Sequence, residues 1–137
     1  MDECVFCRMV AGEIPVVKVY EDGAVLAFLD IGPVSDGHTV VIPKAHCTNA
    51  HECEPETLAK VGPCLGRIAG AVARAMNADG YNILCNNGRA AGQVVEHLHF
   101  HIIPRKAGDG VFRQWPAYKY EEGRISEIAE KIRKTLM

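Results

Sequence analysis

Three histidines recur at every second position, at His97, His99 and His101, with apolar residues between them. A period of two predicts a strand whose successive side chains point to opposite faces. The three imidazoles then share one face of that strand. The opposite face carries an apolar set that is expected to be buried: Val94, Leu98, Phe100 and Ile102. A neutral imidazole is a good nucleophile near pH 7, and its phosphoryl adduct is a good leaving group. The row therefore suits covalent phosphoryl-type transfer, with the central His99 as the candidate nucleophile.

The spacing argues against one metal ion bound by the whole row. Neighbouring histidines on a strand stand about 6.6 Å apart, and the outer pair stands about 13 Å apart. Zinc bonds to imidazole nitrogen are only about 2.1 Å long, so one ion cannot readily collect all three rings. The histidines should therefore have different tasks. The competing interpretation is a histidine-rich strand face that is simply solvated.

Residues 97–103 read His-apolar-His-apolar-His-apolar-apolar, and in this they resemble the signature of the histidine triad family. Gly92 and Gln93 upstream also fit, and the resemblance runs from Cys4 to about Pro104. It implies that His99 attacks the α-phosphate of a purine nucleotide conjugate, such as a phosphoramidate or a dinucleoside polyphosphate. The product would be a nucleotidyl-histidine that water hydrolyses.

The same resemblance assigns roles to the groups around His99. The main-chain carbonyl of His97 would hold the second ring nitrogen of His99 and so set its tautomer. His101 and His38 would contact phosphate oxygens or the leaving group, with Asn86 as an added donor. For His38 a water-facing histidine at a strand start is the competing interpretation.

The resemblance also implies a nucleotide pocket. Asp30 would bind the ribose hydroxyls, and Gln93 and Val94 belong to the phosphate segment. The base pocket would be formed by four apolar residues, for which core packing is an equal alternative: Phe6, Met9, Ile14 and Ile31. Val94 departs from the family pattern, which frequently has Ser or Thr here, so its main-chain N–H remains but a hydroxyl is lost. The preferred leaving group is the property that this change affects.

Cys4 and Cys7 have the two-residue gap that is typical of half a zinc site, with a redox pair as the alternative. This pattern resembles that of bacterial-type triad proteins. The resemblance implies that His46 and His97 complete a closed, structural zinc site with Cys4 and Cys7. His51 is a weak substitute for His46. Among the remaining cysteines, we expect Cys64 and Cys85 to be small buried residues, and Cys47 and Cys53 to lie in surface loops.

Local patterns predict short helical turns at residues 5–11 and a hairpin of strands 16–21 and 24–30 around Asp22 and Gly23. A third strand is expected at 38–43 and a fourth at 81–86, the latter forming a hairpin with the triad strand. A helix should begin near Pro55 and end near Asn77, with a kink or a later start at Pro63. Its buried stripe is predicted to be Leu58, Val61, Leu65, Ile68, Val72 and Met76. A second helix should carry Ile125, Ile128, Ile132 and Leu136 on one face.

Hairpin-linked strands with helices in separate blocks predict an α+β domain on an antiparallel sheet. The resemblance implies the histidine triad fold, a five-stranded antiparallel sheet with one main helix and a C-terminal helix, and usually a homodimer. The 137 residues suit a single domain, 1–137. A net charge of -2 offers no basic stripe for a long nucleic acid.

The chain starts without a basic, apolar leader, and no stretch has the length of a membrane span. We therefore expect a cytoplasmic protein whose six cysteines are thiols or metal ligands. Besides a nucleotide hydrolase or transferase, two functions remain open. One is a purine nucleotide-binding adaptor with little turnover, and the other is a zinc hydrolase that uses two triad imidazoles and a metal-bound water.

Overall fold

The computed structural model describes residues 3–136 and confirms the predicted α+β architecture. The strands are β1 (Lys18–Glu21), β2 (Val25–Leu29), β3 (Thr39–Pro43), β4 (Gly80–Leu84) and β5 (Phe100–Arg105). The helices are α1 (Val5–Val10), α2 (Pro55–Ala75) and α3 (Arg124–Leu136). All strand pairs are antiparallel in the order β1-β2-β3-β5-β4, so β5 lies between β3 and β4.

The β1–β2 hairpin forms where the sequence predicts it, and Asp22 explains the turn. Its carboxylate Oδ1 accepts hydrogen bonds from the main-chain N–H groups of Ala24 and Val25, at 2.7 and 2.8 Å. An aspartate that binds its own downstream backbone stabilises a tight turn. β2 pairs in turn with β3, and apart from the exposed Leu29 both strands are buried on both faces.

Helix α2 covers one face of the sheet. Val61, Ile68 and Val72 pack there against Val41 and Ile102 of the central strands. The helix begins at Pro55, which needs no N–H partner in the first turn. It continues through Pro63, which excludes the later start that was one of the two expectations at this proline. The last residue of the predicted stripe, Met76, lies at the C-cap and is exposed, because the helix has already ended.

The opposite face carries α1 and a second apolar cluster of Phe6, Leu26, Phe28, Val40 and Ile42. Along β5, side chains alternate between the two faces. Ile102 packs under α2, whereas the side chains of His101 and Ile103 line a cavity on the α1 side.

The predicted triad strand is wrong at its start. β5 begins only at Phe100, so His97 and His99 precede it, and Val94 is 90% exposed instead of buried. The reason is a long-range contact: the N–H of Leu98 donates to the carbonyl of Cys47 at 2.7 Å, outside any strand pairing. The loop after β3 therefore takes the place of a β-ladder beside the first two histidines.

Cysteine pairing is a second correction. Cys47 and Cys53 form a disulfide with Cα atoms 5.2 Å apart, and Cys53 is buried rather than surface-exposed. Their spacing alone could not reveal this, because the pairing depends on a 3-10 turn at Ala50–Glu52 that folds the loop back. Cys64 and Cys85 are free thiols and only partly buried.

The second predicted helix, α3, is present, but none of its residues is buried. Ile125, Ile132 and Leu136 are 60%, 56% and 82% exposed, so its apolar face has no partner within the part of the chain that the structure describes. Across residues 3–136, no helix combines the length and apolarity that crossing a membrane requires.

Candidate active site

A cavity of about 590 Å³ lies on the α1 side of the sheet. It crosses the strands from Phe28 of β2 and Asp30 in the loop that follows to Leu84 at the end of β4. His99 and His101 lie between these two ends and also line it. A concave, mostly apolar space with a few convergent polar groups is the usual form of a small-molecule site.

His99 is held with one nitrogen available. Its Nδ1 is 2.8 Å from the carbonyl oxygen of His97, so Nδ1 carries the proton and donates it. The lone pair is therefore on Nε2. The ring of Phe6 packs edge-on against His99 at a centroid distance of 5.1 Å, and His99 is only 6% exposed.

A chain of hydrogen bonds sets the tautomers of His38 and His101. The N–H of Val34 donates to Nδ1 of His38 at 3.0 Å, which leaves the His38 proton on Nε2. That nitrogen lies 2.9 Å from Nδ1 of His101 and 3.6 Å from Oδ2 of Asp30. His101 thus accepts on Nδ1 and, when neutral, carries its own proton on Nε2.

Burial keeps these two rings neutral. It lowers the pKa of His38, although the carboxylate of Asp30 opposes the shift. Burial also lowers the pKa of His101 to about 4, with the neighbouring rings of His99 and His38 adding to the effect and Asp30 opposing it. Near pH 7 both therefore act as N–H donors without a net charge.

Asp30 lies in the loop after β2 and lines the cavity. Its Oδ1 accepts the N–H of Gly32 at 2.8 Å, while its N–H donates to the carbonyl of His38 at 2.9 Å. The carboxylate is thereby fixed at the rim, with acceptor capacity remaining for a ligand hydroxyl.

The segment before the triad is ordered by Gln93. Its side-chain oxygen accepts the N–H of Gly88 at 2.8 Å, and its NH₂ donates to the carbonyls of Thr48 and Val95 at 2.6 and 3.1 Å. Gln93 is buried and does not line the cavity, so it shapes the segment instead of facing a ligand. Its neighbour Val94 does line the cavity, as does Asn86 after β4.

The four apolar residues predicted for a base pocket, Phe6, Met9, Ile14 and Ile31, all line the cavity. Core packing and pocket lining are not exclusive for Phe6, which also packs against Phe28 in the second cluster. Ile31 is fully exposed, which excludes core packing for that residue.

Sequence reasoning missed several lining residues: Phe28, Val40, Leu84, Ile103 and Phe112. The alternation of β3 and β5 could have indicated Val40 and Ile103. No local pattern marks Phe112, which follows a loop.

A second polar cluster joins the N-terminal turn to the triad: Cys4, Cys7, His46 and His97. The donor atoms all lie within 4.8 Å of one another. Nδ1 of His97 lies 3.4 Å from Sγ of Cys4 and 3.1 Å from Nδ1 of His46, and the same His46 atom lies 3.3 Å from Sγ of Cys7. His51 is outside this group and exposed.

These distances fit a tetrahedral zinc ion. Bonds of about 2.3 Å to sulfur and 2.0–2.1 Å to nitrogen would separate sulfur from nitrogen by roughly 3.6 Å and the two nitrogens by roughly 3.3 Å. Nε2 of His97 donates to the carbonyl of Pro43 at 2.8 Å, which directs the Nδ1 lone pair into the cluster. Burial, reinforced by neighbouring Cys4, raises the pKa of the Cys7 thiol. A nearby cation would be required to hold Cys7 as a thiolate there.

The cluster and the cavity divide the triad. His97 is fully buried and its ring faces the cluster, so only its carbonyl serves His99. His99 and His101 face the cavity. With His97 buried and His99 only 6% exposed, the interpretation of the row as a solvated strand face is wrong.

Comparisons with known proteins identify relatives of this chain. The HIT domain family model matches residues 11–108. An adenosine 5'-monophosphoramidase from Schizosaccharomyces pombe is 43% identical over 130 residues, which cover 94% of this chain and 95% of that protein. A solved HIT family protein from Bacillus subtilis is 43% identical with a TM-score of 0.90, over 96% of each chain. A zinc-bound histidine triad family protein from Mycobacterium smegmatis is 39% identical with a TM-score of 0.71, over 99% of each chain.

Proposed function

The chain is an enzyme of the histidine triad (HIT) family, and on that premise we propose that it hydrolyses or transfers the nucleotidyl group of a purine nucleotide conjugate. The proposed substrate is a phosphoramidate or a dinucleoside polyphosphate, bound by a single HIT domain. The observation that carries the proposal is the Nε2 lone pair of His99, which the His97 carbonyl fixes inside a cavity that also holds two neutral N–H donors.

The proposed reaction has two displacements. Nε2 of His99 attacks the α-phosphorus, forming an N–P bond while the bond from phosphorus to the leaving group breaks. The ring becomes cationic, and the His97 carbonyl stabilises its Nδ1–H. An amine leaving group takes a proton from solvent as it departs. Water then attacks phosphorus and returns a proton to solvent, while the N–P bond breaks and its electron pair goes back to Nε2, which releases the nucleoside monophosphate and restores His99.

Donors around the phosphate supply electrostatic stabilisation. Nε2–H of His101 and the amide of Asn86 would donate to phosphate oxygens or the departing atom, where negative charge develops. His38 orients His101 through the 2.9 Å contact to its Nδ1. The N–H of Val94 is available on the same side, although its side chain offers no hydroxyl.

Nucleoside binding is proposed for the β2 end of the cavity. Asp30 would accept the ribose hydroxyls from its position at the rim. A purine would lie among Phe6, Met9, Ile14 and Ile31, and Ile31 in particular has its side chain free to cover a flat ring. Gln93 would hold the main chain of the phosphate segment in place through its hydrogen bonds to Gly88, Thr48 and Val95.

We assign a structural zinc ion to Cys4, Cys7, His46 and His97, because four protein donors close the tetrahedron and leave no position for a reacting water. The ion would tie the N-terminal turn to the segment that carries His99. Its chemistry would be confined to holding these ligands in place.

A homodimer in the cytoplasm completes the proposal. The exposed apolar face of α3 supports self-association, because isolated amphipathic helices are marginal in water without tertiary packing. Sedimentation of the full chain measures this directly, and a monomer at micromolar concentration would contradict it.

The central test uses an AMP phosphoramidate. The parent should release AMP, and His99→Ala should lower kcat/KM by more than about 10³-fold, because it removes the protein atom that bonds to phosphorus in the proposed reaction. His51→Ala is a matched control, since His51 is 79% exposed and outside both clusters. Quenched samples should show an AMP adduct by intact-mass measurement. A parent that never turns over and never carries an adduct would refute the proposal.

One observation favours a second candidate, a nucleotide-binding adaptor with little turnover: Val94 lines the cavity without a hydroxyl to assist departure. Tight AMP binding by a parent without measurable turnover would select the adaptor. Chelation distinguishes a zinc hydrolase from both candidates. For a zinc hydrolase, removing the metal should abolish activity under conditions of protein concentration and temperature in which the protein stays folded.

A further inference from the structure

Phe112 contributes an aromatic ring to the cavity from beyond the 11–108 stretch that the family model matches. It is 56% exposed, so a bound group could still cover much of the ring. Its φ of 47° is left-handed, a region that bulky residues rarely adopt. Such backbone strain persists only where surrounding contacts impose it. The contacts that impose it here also hold the Phe112 ring at the cavity.

The loop that holds Phe112 is built around Arg105, the last residue of β5. Its guanidinium donates twice to the carboxylate of Asp109, at 2.8 and 2.6 Å, and once to Asn82 at 2.8 Å. It also donates to the carbonyl of Val111, and its central carbon lies 5.7 Å from the centroid of the Phe112 ring. Bidentate ion pairing fixes geometry as well as adding stability. The ring is thus presented by a braced loop.

The position of Phe112 follows from the strand order. On β5 the residues His101, Ile103 and Arg105 alternate onto the same face, so Arg105 and the ring beside it lie beyond the histidines. The proposed nucleoside end is at β2, on the opposite side of β5 from Leu84 in β4. Because Arg105 also donates to Asn82 of β4, the Phe112 ring lies toward the β4 end of the cavity, away from the proposed nucleoside end. A leaving group on the far side of phosphorus from the nucleoside would extend toward it.

The lining at this end is apolar. Leu84 of β4 and Ile103 of β5 line it there, and Asn86, two residues after Leu84, adds one amide. Apolar surface in water gains most from an apolar partner, and aromatic pairs add a further preference. A small polar leaving group would leave this apolar surface in contact with water.

We propose that Phe112, held by the Arg105–Asp109 pair, determines leaving-group specificity and selects nucleotide conjugates whose leaving group carries an aromatic or bulky apolar side chain. This inference rests on the proposed nucleotidyl transfer. Phe112 provides contact area, and it takes no part in breaking or forming bonds.

The test compares two AMP phosphoramidates, one of 2-phenylethylamine and one of ethylamine. Their leaving nitrogens are both primary alkyl amines, and the added phenyl ring is the main difference. The measured quantity is the ratio of kcat/KM for the phenylethyl over the ethyl conjugate. Phe112→Gly should lower this ratio about tenfold, and Phe112→Leu should fall between it and the parent. Glycine adopts a φ of 47° without strain, so this variant removes the ring while permitting the loop conformation.

Binding supplies an independent measurement. In a His99→Ala background, the affinity ratio of the two conjugates should fall on adding Phe112→Gly by a similar factor. An unchanged ratio in both turnover and binding would overturn the role of Phe112 while leaving the proposed function intact. A parent that turns over neither conjugate would overturn the proposed function, and the binding ratio would still decide whether Phe112 contacts the attached group.

Discussion

Acidification should destabilise the fold through the imidazole of His101. Burial lowers its pKa to about 4, from an ordinary value of 6.5. Between these two values the unfolded chain binds a proton that the folded protein excludes. The free energy of unfolding must therefore fall as the pH is lowered from about 6.5 to about 4. The stability that the neutral His101 ring contributes is complete only above about pH 6.5.

The size of the effect follows from the same two pKa values. Their difference, 6.5 minus about 4, is about 2.5 pH units. At 1.36 kcal/mol for each unit, the single ring accounts for about 3 kcal/mol. The neighbouring rings of His99 and His38 cause part of the lowered pKa of His101. Replacing His101 alone should therefore remove only on the order of 2 kcal/mol of the acid-induced loss of stability.

Urea unfolding between pH 4 and 7.5 measures this directly. His101→Asn keeps an acceptor for the His38 N–H but cannot titrate, so its stability should fall less steeply below pH 6.5 than that of the parent. The exposed His51→Asn should follow the parent. Loss of metal at low pH would affect all three proteins alike, since neither position belongs to the metal cluster. Parallel curves for parent and His101→Asn would refute the reasoning.

Three further outcomes are expected. Cys7→Ser should lower bound zinc from one ion per chain to a small fraction and reduce the melting temperature, checked by metal analysis and calorimetry; full metal content would contradict the assigned ligand set. Gly37→Ala should cost about 1–3 kcal/mol in urea unfolding, because φ is +91° and the new Cβ would lie 2.5 Å from Cγ of Met76. Adding Met76→Ala to Gly37→Ala should restore only the stability lost through the steric contact with Met76. Full recovery of the parent's stability would exclude backbone strain at residue 37. Reducing the Cys47–Cys53 disulfide should cost about 2 kcal/mol for so short a loop, measured against Cys47→Ser with Cys53→Ser, which should not respond to reductant.

The sheet could be predicted because each strand carries its own local signal. Alternation and turn residues placed β1 to β4 within a few residues, and Asp22 marked the first hairpin. The triad strand was predicted too long because His97 and His99 continue the pattern of β5 while their backbone does not. Leu98 binds the loop at Cys47 instead, a contact between segments about 50 residues apart that periodicity cannot register.

The candidate site shows the same division. The roles of His99 and Asp30 could be proposed from motif resemblance, and both lie at the cavity. Gln93 was expected at the nucleotide but is buried and does not line the cavity, because its two amide ends are saturated by main-chain groups from separate loops. Phe112 has no local signal, since its position depends on an ion pair that closes after β5.

By itself, the sequence predicted the chemistry: His99 as the candidate nucleophile, and Cys4 and Cys7 as candidate zinc ligands, because these expectations rest on residue types and short spacings. Only the tertiary structure decided how the histidines divide their work. His97 turns inward to the thiols and His101 pairs with His38, since protonation and access depend on burial and on partners brought from other strands. Residue identity sets what a group can do, whereas the packing of distant segments sets which of those reactions is available to it.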